Sequence, residues 1–376
     1  MSSFSNIKYG KLAIILENDY FSDCGKNWLA IYLYDKLEES WDIDLLIISS
    51  QDKPIKQSIY EHNARIFYYS YDSIINFEID GTTSQLIKRA SEFRNDIAKA
   101  LPLYNYLINN IDRYDAYVFV GLTYAIIPLL PLTKKKNCMI PLLKPRFGQI
   151  IGTNPAIQLA LLNCDYFFCH SEKEAKYIRI YQPYAEIRVF PIMLDLNYSY
   201  YQKGKKEDFS LDESSALIIT EYIDKKVEHY ATKLKRINLT PYIIHNEELK
   251  TLDMNAINQI NFSTFVRCFY SLIDKIKIAL FFMQDDFFFL LYNLAQHSVP
   301  IYLSRDYIWN DLIDIDSIGL LSLNNQFDEP IVRSSLMFEE FHHYQYYNNY
   351  LLKFVNDWCV DNKIRTSILS KQSNKL

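Results

Sequence analysis

The chain has 376 residues, of which 49% are hydrophobic and 23% are charged, and its formal net charge is −5. This length exceeds the usual size of one hydrophobic core and predicts two domains. The negative charge argues against a nucleic-acid partner, because such a partner needs a basic surface.

Short apolar runs alternate with helical patterns through the N-terminal half. A helix is expected over about 83–110, in two pieces broken near Pro102, because proline removes a backbone hydrogen-bond donor. Helical spacing also predicts a helix over 27–38 and another that begins near Tyr124. The apolar runs predict strands over 11–18, 42–49, 64–71, 116–122, 137–144, 166–172 and 186–193. Strands that alternate with helices are typical of a parallel sheet covered on both faces.

The alternation stops after residue 193 in a polar, charged stretch and then restarts. We therefore predict an N-terminal domain over 1–193, a linker over 194–212 and a C-terminal domain over 213–337. In the second half, the apolar runs predict strands over 216–221, 239–246, 257–266, 277–284 and 299–305. The helical patterns there are 228–237, 269–275, a segment that begins at 285, and a terminal aromatic helix over about 338–360.

The segment 284–304, QDDFFFLLYNLAQHSVPIYLS, has an unusual order. Asp285 and Asp286 open an apolar helical pattern, Asn293 follows eight residues after Asp285, and Val299-Pro300 leads into a strand. One interpretation is structural: Asp285 caps the helix, Asp286 complements the helix dipole, and Asn293 is a satisfied polar residue. The alternative is a ligand site, and a family resemblance supports it.

This order of elements resembles the donor-binding segment of retaining glycosyltransferase family 4, whose members have the GT-B fold. In that family a Glu, a Gly-rich turn and a second Glu eight positions later precede a Gly-Val-Pro and a strand. Asp285 falls on the first Glu, Asn293 on the second, and Ser298-Val299-Pro300 on the Gly-Val-Pro. Lys225 falls on the donor-phosphate Lys that follows the first strand of the family's second domain. The resemblance covers nearly the whole chain, since it extends to segments 16–38, 165–179 and 188–196.

The resemblance implies an α/β chain of the GT-B fold, with two Rossmann-like domains whose parallel sheets face a cleft. It also implies that the C-terminal helix, about 338–376, returns to the N-terminal domain. That helix has an apolar and aromatic face that needs a partner surface: Tyr346, Tyr350, Leu351, Phe354 and Trp358.

The activity implied is sugar transfer from a nucleotide-diphosphate sugar to a cell-surface glycan or lipid-linked acceptor, as in polysaccharide biosynthesis. No metal or other cofactor is implied, because GT-B enzymes stabilise the departing diphosphate with Lys or Arg and a helix N-terminus. The expected catalytic residues are Asp285, which would accept hydrogen bonds from the donor sugar, and Lys225, which would offset the phosphate charge. The expected donor-binding residues are Asn293 at the ribose, with Asp286, Phe287 and Thr220 near the diphosphate.

The sequence also departs from the family, and the departures favour alternatives. Thr220 stands where the family has a basic residue, Asp286-Phe287-Phe288 replaces the Gly-rich turn, and Asn293 replaces the second Glu. The Asn-Gly that follows the hinge strand in the family is Ile192-Met193 here. A catalytically inactive GT-B-like scaffold that binds a partner protein or glycan is one alternative, and a nucleotide-sugar epimerase is another. In the structural interpretation Lys225 belongs to a solvated lysine pair.

Polar and basic residues follow several strands of the N-terminal half, where an acceptor would bind. Gly25 and Lys26 lie between the first strand and the first helix, at the edge where α/β sheets bind ligands. Lys144 and Arg146 follow another strand and suit an anionic acceptor such as a lipid phosphate, with a surface basic pair as the alternative. His170 directly follows a strand and is either an acceptor-side residue or a packed or capping one.

The sequence also bears on location. Residues 1–10 are mostly polar, and no run reaches the roughly 18 uncharged apolar residues that span a bilayer. The six cysteines show no CxxC pair and no metal-ligand spacing. We therefore expect a cytoplasmic protein with reduced thiols. Lys134-Lys135-Lys136 is either a solvated loop or a contact with the inner face of the membrane.

Overall fold

The chain divides into two compact units. Unit 1 comprises Met1–Leu143, Phe147–Pro191 and Asn349–Leu376, and unit 2 comprises Lys144–Arg146 and Ile192–Asn348. The structure is a computed structural model, and it describes residues 8–18, 26–50, 62–69, 85–133, 137–142, 155–170, 172–189, 210–220, 225–245, 258–282, 290, 293–294, 297, 299–303, 321–322, 353 and 355–360. The linker predicted over 194–212 stays a prediction, because only its last three residues are described.

The strands of unit 1 form one parallel sheet. They are β1 (Lys11–Glu17), β2 (Asp42–Ser50), β3 (Ala64–Tyr69), β4 (Ala116–Val120), β5 (Asn137–Ile140), β6 (Tyr166–Cys169) and β7 (Glu186–Val189). Their order is β3-β2-β1-β4-β5-β6-β7, and each of these pairings is parallel. β4 is buried along its whole length, and β1 and β2 nearly so. A sheet covered on both faces needs such continuous apolar strands, which explains why the apolar runs identified them.

The helices of unit 1 correct two predictions. They are α1 (Lys26–Leu37), α2 (Gln85–Asn110), α3 (Leu130–Thr133), α4 (Pro155–Leu161) and α5 (Glu172–Tyr181). The break predicted near Pro102 is wrong, because α2 is continuous through it. Leu103 and Leu107, in the turns after the proline, are fully buried, and this packing favours continuation of the helix. The helix predicted from Tyr124 is a turn followed by a 3₁₀ segment, Ile127–Leu129, and the short α3.

Unit 2 is built on a second parallel sheet. Its strands are β8 (Ser215–Ile219), β9 (Thr240–His245), β10 (Asn258–Asn261), β11 (Ile276–Phe281), β12 (Ile301–Leu303) and β13 (Leu321–Ser322). Their order is β10-β9-β8-β11-β12-β13, again with parallel pairings. The helices are α6 (Lys225–Arg236) and α7 (Phe262–Leu272).

Helical spacing of apolar residues explains both helices of unit 2. In α6, Val227, Ala231 and Leu234 are buried and belong to the same core cluster as strand residues of β8 and β11. The strand predicted over 257–266 is wrong in its second half, where α7 begins at Phe262. Phe265, Phe269 and Leu272 lie at helical spacing and are buried, so this apolar run has the period of a helix.

The predicted α/β fold class is confirmed. In each sheet the first strand lies between the second and the fourth, so the chain runs outward to one edge and then crosses to build the other half. This is the strand order of Rossmann-like folds. Each sheet therefore has a switch point, between β1 and β4 in unit 1 and between β8 and β11 in unit 2.

The described part of the C-terminal segment packs on unit 1. Residues 355–360 are helical, and Val355, Trp358 and Cys359 are buried. The indole Nε1 of Trp41 donates a 2.9 Å hydrogen bond to Asn356 Oδ1. The rings of Tyr166 and Trp358 lie 5.6 Å apart, measured between centroids. The helix thus returns to the N-terminal unit, as the resemblance implies; residues 338–352 of the predicted helix lie outside the described part.

A buried polar network stabilises the amino ends of the unit 1 strands. The fully buried carboxylate of Asp44 accepts hydrogen bonds from Tyr114 Oη at 2.6 Å and from Asn63 Nδ2 at 2.9 Å. Lys11 Nζ lies 3.2 Å from the same carboxylate. A buried carboxylate needs such partners to offset its lost hydration, so we assign this network a structural role.

Candidate functional site

Ligands bind parallel α/β sheets outside the carboxyl ends of the strands, at the switch point. In unit 1, Asn18 directly follows β1 and Gly121 directly follows β4. In unit 2, Thr220 follows β8 and Phe282 follows β11. These two carboxyl edges are the candidate binding sites, one in each unit.

A buried amide cluster forms the carboxyl edge of unit 1 beside β1. Asn18 Nδ2 donates to Ser49 Oγ at 3.0 Å, and Asn27 Nδ2 donates to Asn18 Oδ1 at 2.8 Å. Asn18 and Ser49 have no exposed surface, and Asn27 is 3% exposed. The cluster therefore links the ends of β1 and β2 to the first turn of α1. This cluster was not predicted from the sequence, where its signal is Asn18 directly after β1 and a pair of serines that ends the apolar run of β2.

The backbone conformation at position 121 favours glycine. Its φ is 82°, in the left-handed region that favours glycine over residues with a Cβ atom. Its N–H donates to Ile140 O at 2.8 Å, so the chain turns sharply across the end of β5. Thr123 follows in the same turn, and its Oγ1 atom is buried without a hydrogen-bond partner in the described part of the chain.

His170 is held by a buried carboxylate at the end of β6. One oxygen of Glu174, Oε2, lies 2.8 Å from His170 Nδ1 and accepts a 2.8 Å hydrogen bond from the His170 backbone N–H. Neither side chain is exposed. Glu174 is the third residue of α5, so its side chain caps the start of that helix. Burial raises the pKa of the adjacent Cys169 thiol well above its usual range, and the Glu174 charge adds to the effect.

Basic and aromatic side chains meet at the switch point of unit 2. Lys226 Nζ lies 5.8 Å from the centroid of the Phe282 ring, and the Phe282 and Tyr230 rings lie 5.2 Å apart. Lys225 is the first residue of α6 and is exposed. Thr220 is buried, and its backbone N–H donates to Ile244 O at 3.3 Å. The structure therefore brings Thr220 and the start of α6 to one sheet edge, and it adds Lys226 and Phe282, which the sequence analysis did not single out.

Asn293 is a buried residue near β12. It is helical and 4% exposed, and its backbone carbonyl accepts a 3.3 Å hydrogen bond from the His297 N–H. His297 packs edge-on against Phe269, with ring centroids 5.7 Å apart. Partial burial lowers the pKa of His297, opposed by the nearby Asp274 charge.

Several of the expected site residues lie outside the described part of the chain. These are Asp285, Asp286, Phe287, Gly25, Lys144 and Arg146. Lys26 is the first residue of α1, but its side chain is not described.

Within the described ranges, no three His, Cys, Asp or Glu side chains are grouped so that they could hold a metal ion. None of the helices described is both long enough and apolar enough to cross a membrane.

The chain shares its fold with solved structures. No protein-family model matches the sequence, and no curated protein matches it. The calicheamicin glycosyltransferase CalG4 is 9% identical, with 93% of this chain and 98% of that chain covered and a TM-score of 0.56. Arabidopsis thaliana UGT89C1, solved with UDP-L-rhamnose, is 8% identical, with 92% of this chain and 94% of that chain covered and a TM-score of 0.50. UDP-N-acetylglucosamine 2-epimerase from Rickettsia bellii is 12% identical, with 96% of each chain covered and a TM-score of 0.51. These likenesses extend over both units and show the GT-B type of fold.

Proposed function

We propose that the chain transfers a sugar from a nucleotide-diphosphate sugar to a cell-surface glycan or lipid-linked acceptor. The observation that carries this proposal is the carboxyl edge of unit 2, where Lys225 and Lys226 open α6 beside Phe282. CalG4 is named as a glycosyltransferase, and UGT89C1 was solved with a sugar nucleotide. The likeness to both structures supports the same chemistry.

Electrostatics supports a diphosphate at this edge. The first turn of a helix carries a partial positive charge, so each lysine there is unfavourable by about 0.3–1 kcal/mol when no anion is bound. A diphosphate would remove this penalty, because its negative charge pairs with lysine and with the partial positive charge at the start of the helix. In sugar transfer the departing diphosphate gains negative charge, so cations placed here would stabilise the transition state.

The other donor-site roles are proposals that rest on the resemblance to family 4. Asp285 would accept hydrogen bonds from the sugar hydroxyls, and Asn293 would bind the ribose. Asp286, Phe287 and Thr220 would lie near the diphosphate, and the position of Thr220 directly after β8 supports its role. The retaining outcome of family 4 belongs to the same proposal, and so does transfer without a metal.

The acceptor would bind at the carboxyl edge of unit 1. Gly25 and Lys26, which precede Asn27 in the sequence between β1 and the body of α1, would contact it. Lys144 and Arg146 would bind an anionic group of the acceptor, and His170 would act from the end of β6. We further propose that the protein works in the cytoplasm, in contact with the inner face of the membrane that supplies a lipid-linked acceptor.

A nucleotide-sugar epimerase is a second candidate. The likeness to UDP-N-acetylglucosamine 2-epimerase favours it, since that chain and this one cover 96% of each other. Both activities need a nucleotide-diphosphate sugar, so the donor site proposed above serves either reaction.

The test is product analysis with a panel of nucleotide-diphosphate sugars. The full chain is incubated with each sugar nucleotide and with membrane extract as acceptor, and the products are separated by chromatography and examined by NMR. Sugar transfer predicts release of a nucleoside diphosphate that needs the extract, and retained anomeric configuration supports family 4. An epimerised sugar nucleotide without release would favour the second candidate. No change in any donor would leave the inactive scaffold as the better account.

A further inference from the structure

A hydroxyl without a partner lies at the switch point of unit 1. Thr123 is the third residue after β4, and its Oγ1 atom is buried and makes no hydrogen bond with any residue that the structure describes. The backbone of Thr123 is fixed, since its carbonyl accepts hydrogen bonds from the N–H groups of Ile126 at 3.1 Å and Ile127 at 3.3 Å. Buried polar groups nearly always have a partner, so this hydroxyl is a candidate for contact with a ligand.

Two backbone positions with positive φ lie close to this hydroxyl. Gly121, directly after β4, has a φ of 82°, and Leu142, the second residue after β5, has a φ of 44°. The Leu122 N–H donates to Pro141 O at 2.5 Å. Thr123 and Leu142, the next residue in each segment, therefore leave the ends of neighbouring strands side by side. A leucine resists the left-handed region because of its Cβ atom, and a buried leucine held there is strain of the kind that gathers at ligand sites.

The side chains at the neighbouring strand ends are uncharged, with one exception. Leu16 pairs with Val120 in the sheet. Asn18 after β1 therefore lies at the level of Leu122 after β4, and it belongs to the buried amide cluster beside β1. Among the described residues that end or directly follow β1, β2, β4 and β5, Glu17 is the one charged side chain, and it is half-exposed. This composition suits a neutral ligand rather than a phosphate, which binds to cations.

We propose that Thr123 binds a hydroxyl group of a neutral sugar at the carboxyl edge of unit 1. A threonine hydroxyl and a sugar hydroxyl both donate and accept hydrogen bonds, so they are matched partners. Thr123 is half-buried, and its exposed surface belongs to atoms other than Oγ1. Rotation about the Cα–Cβ bond to another staggered position turns the hydroxyl toward that open side. Identification of the sugar as part of the acceptor rests on the proposed function, whereas sugar binding itself does not.

Melting of Thr123→Val tests whether the hydroxyl is unpaired within the chain. Valine keeps the shape of the side chain and removes the hydroxyl, so the midpoint should be unchanged or higher. Thr133→Val is the matched control, because the buried Thr133 hydroxyl lies 3.2 Å from Leu130 O and also contacts the Asn137 side chain. Its midpoint should fall by about 2 °C or more. A similar fall in both variants would overturn the proposal, because the Thr123 hydroxyl would then have a partner within the fold.

Saturation-transfer difference NMR of the full chain tests sugar binding without catalysis. The probes are the methyl α-glycosides of glucose, galactose and mannose, and N-acetylglucosamine, each at millimolar concentration. We expect at least one probe to bind, and Thr123→Val to bind it about three- to tenfold more weakly through loss of one neutral hydrogen bond. Thr123→Ser keeps the hydroxyl and should bind like the unsubstituted chain. No binding by any probe, or equal binding by Thr123→Val and Thr123→Ser, would overturn the proposal.

Product analysis with the sugar-nucleotide panel separates this inference from the proposed function. Sugar binding that depends on Thr123, without sugar transfer to any acceptor, would refute the transfer and keep the sugar site. Sugar transfer by Thr123→Val with the same KM for the membrane-extract acceptor as the unsubstituted chain would overturn the sugar site and keep the transfer.

Discussion

The ammonium group of Lys226 and the ring of Phe282 lie in a cation–π arrangement at the switch point of unit 2, 5.8 Å apart. Phe282 directly follows β11, and Lys226 is the second residue of α6, which follows β8. The contact therefore joins the two strand ends between which a Rossmann-like sheet binds its ligand. It also separates the roles of two neighbouring lysines, because Lys225 is exposed and makes no cation–π contact with the aromatic rings that the structure describes.

Lys226→Gln should lower the free energy of unfolding by about 0.5–1 kcal/mol, the usual strength of an exposed cation–π contact. The matched variant Lys225→Gln should stay within about 0.5 kcal/mol of the unsubstituted chain, as exposed substitutions usually do. Urea unfolding followed by circular dichroism measures both. A larger loss for Lys225→Gln than for Lys226→Gln would refute the assignment of the contact to Lys226.

Glu174→Ala should destabilise the protein by about 1–3 kcal/mol, because it leaves the buried His170 ring and backbone N–H without the carboxylate that now accepts from them. Glu172→Ala is the control, since Glu172 lies on the same helix and its side chain is 62% exposed. Urea unfolding followed by circular dichroism measures the stability of both variants. Similar midpoints for the two variants would show that the buried pair adds nothing to stability.

Stability should fall with rising pH above about 10 through Tyr114. Burial and the hydrogen bond to Asp44 raise the pKa of Tyr114 far above its ordinary 10.0. The folded chain therefore keeps this proton after the unfolded chain has lost it, so the stabilisation is complete below pH 10 and is lost as the pH rises. One such proton corresponds to about 1.4 kcal/mol per pH unit.

Tyr114→Phe removes that titration. It should lower stability at neutral pH, because Asp44 loses a hydrogen bond. Between about pH 10.5 and 11.5 the free energy of unfolding should fall less steeply with pH than in the unsubstituted chain, by roughly one proton, or about 1.4 kcal/mol per pH unit. Unfolding titrations at several pH values give the slope. An unchanged alkaline slope in Tyr114→Phe would mean that other groups cause the loss.

The Cys359 thiol should report on docking of the C-terminal helix. Cys359 is buried, and burial raises its pKa well above the usual range, so it should react slowly with a thiol reagent in the folded protein. Asn356→Ala removes the acceptor of the Trp41 hydrogen bond and should speed the labelling of Cys359 severalfold. Peptide mapping by mass spectrometry identifies the labelled cysteine, and Asp357→Ala, at an exposed neighbouring position, is the control. Equal rates in both variants would show that the hydrogen bond does not hold the helix.

The sheet strands could be predicted because parallel strands buried on both faces are continuous apolar runs. The helix boundaries were harder to predict from the sequence. The apolar run after Asn261 fits a strand or a helix by length, and only packing of Phe265 and Phe269 into the core decides for α7. Pro102 likewise looked like a break, yet tertiary packing keeps α2 continuous through it.

The candidate residues of unit 2 were predicted from a family motif, and those of unit 1 from their positions after predicted strands. Thr220, Lys225 and Asn293 came from the resemblance, and their roles stay predictions. The Asn18–Asn27–Ser49 cluster and the Glu174 contact of His170 join residues that are distant in sequence or in different elements. The Asn18–Ser49 contact depends on how the strands are arranged in the sheet, whereas the His170–Glu174 contact spans only four residues and depends on where α5 begins.

The central claim is that unit 2 binds the diphosphate of a sugar nucleotide beside the two lysines of α6. Isothermal titration of the full chain with UDP, GDP, ADP, CDP and TDP tests it most directly, with Lys225→Gln, which should fold as stably as the unsubstituted chain. We expect one base to bind and Lys225→Gln to bind it about tenfold more weakly, which corresponds to about 1.4 kcal/mol. The absence of binding by all five diphosphates at millimolar concentration would contradict the account.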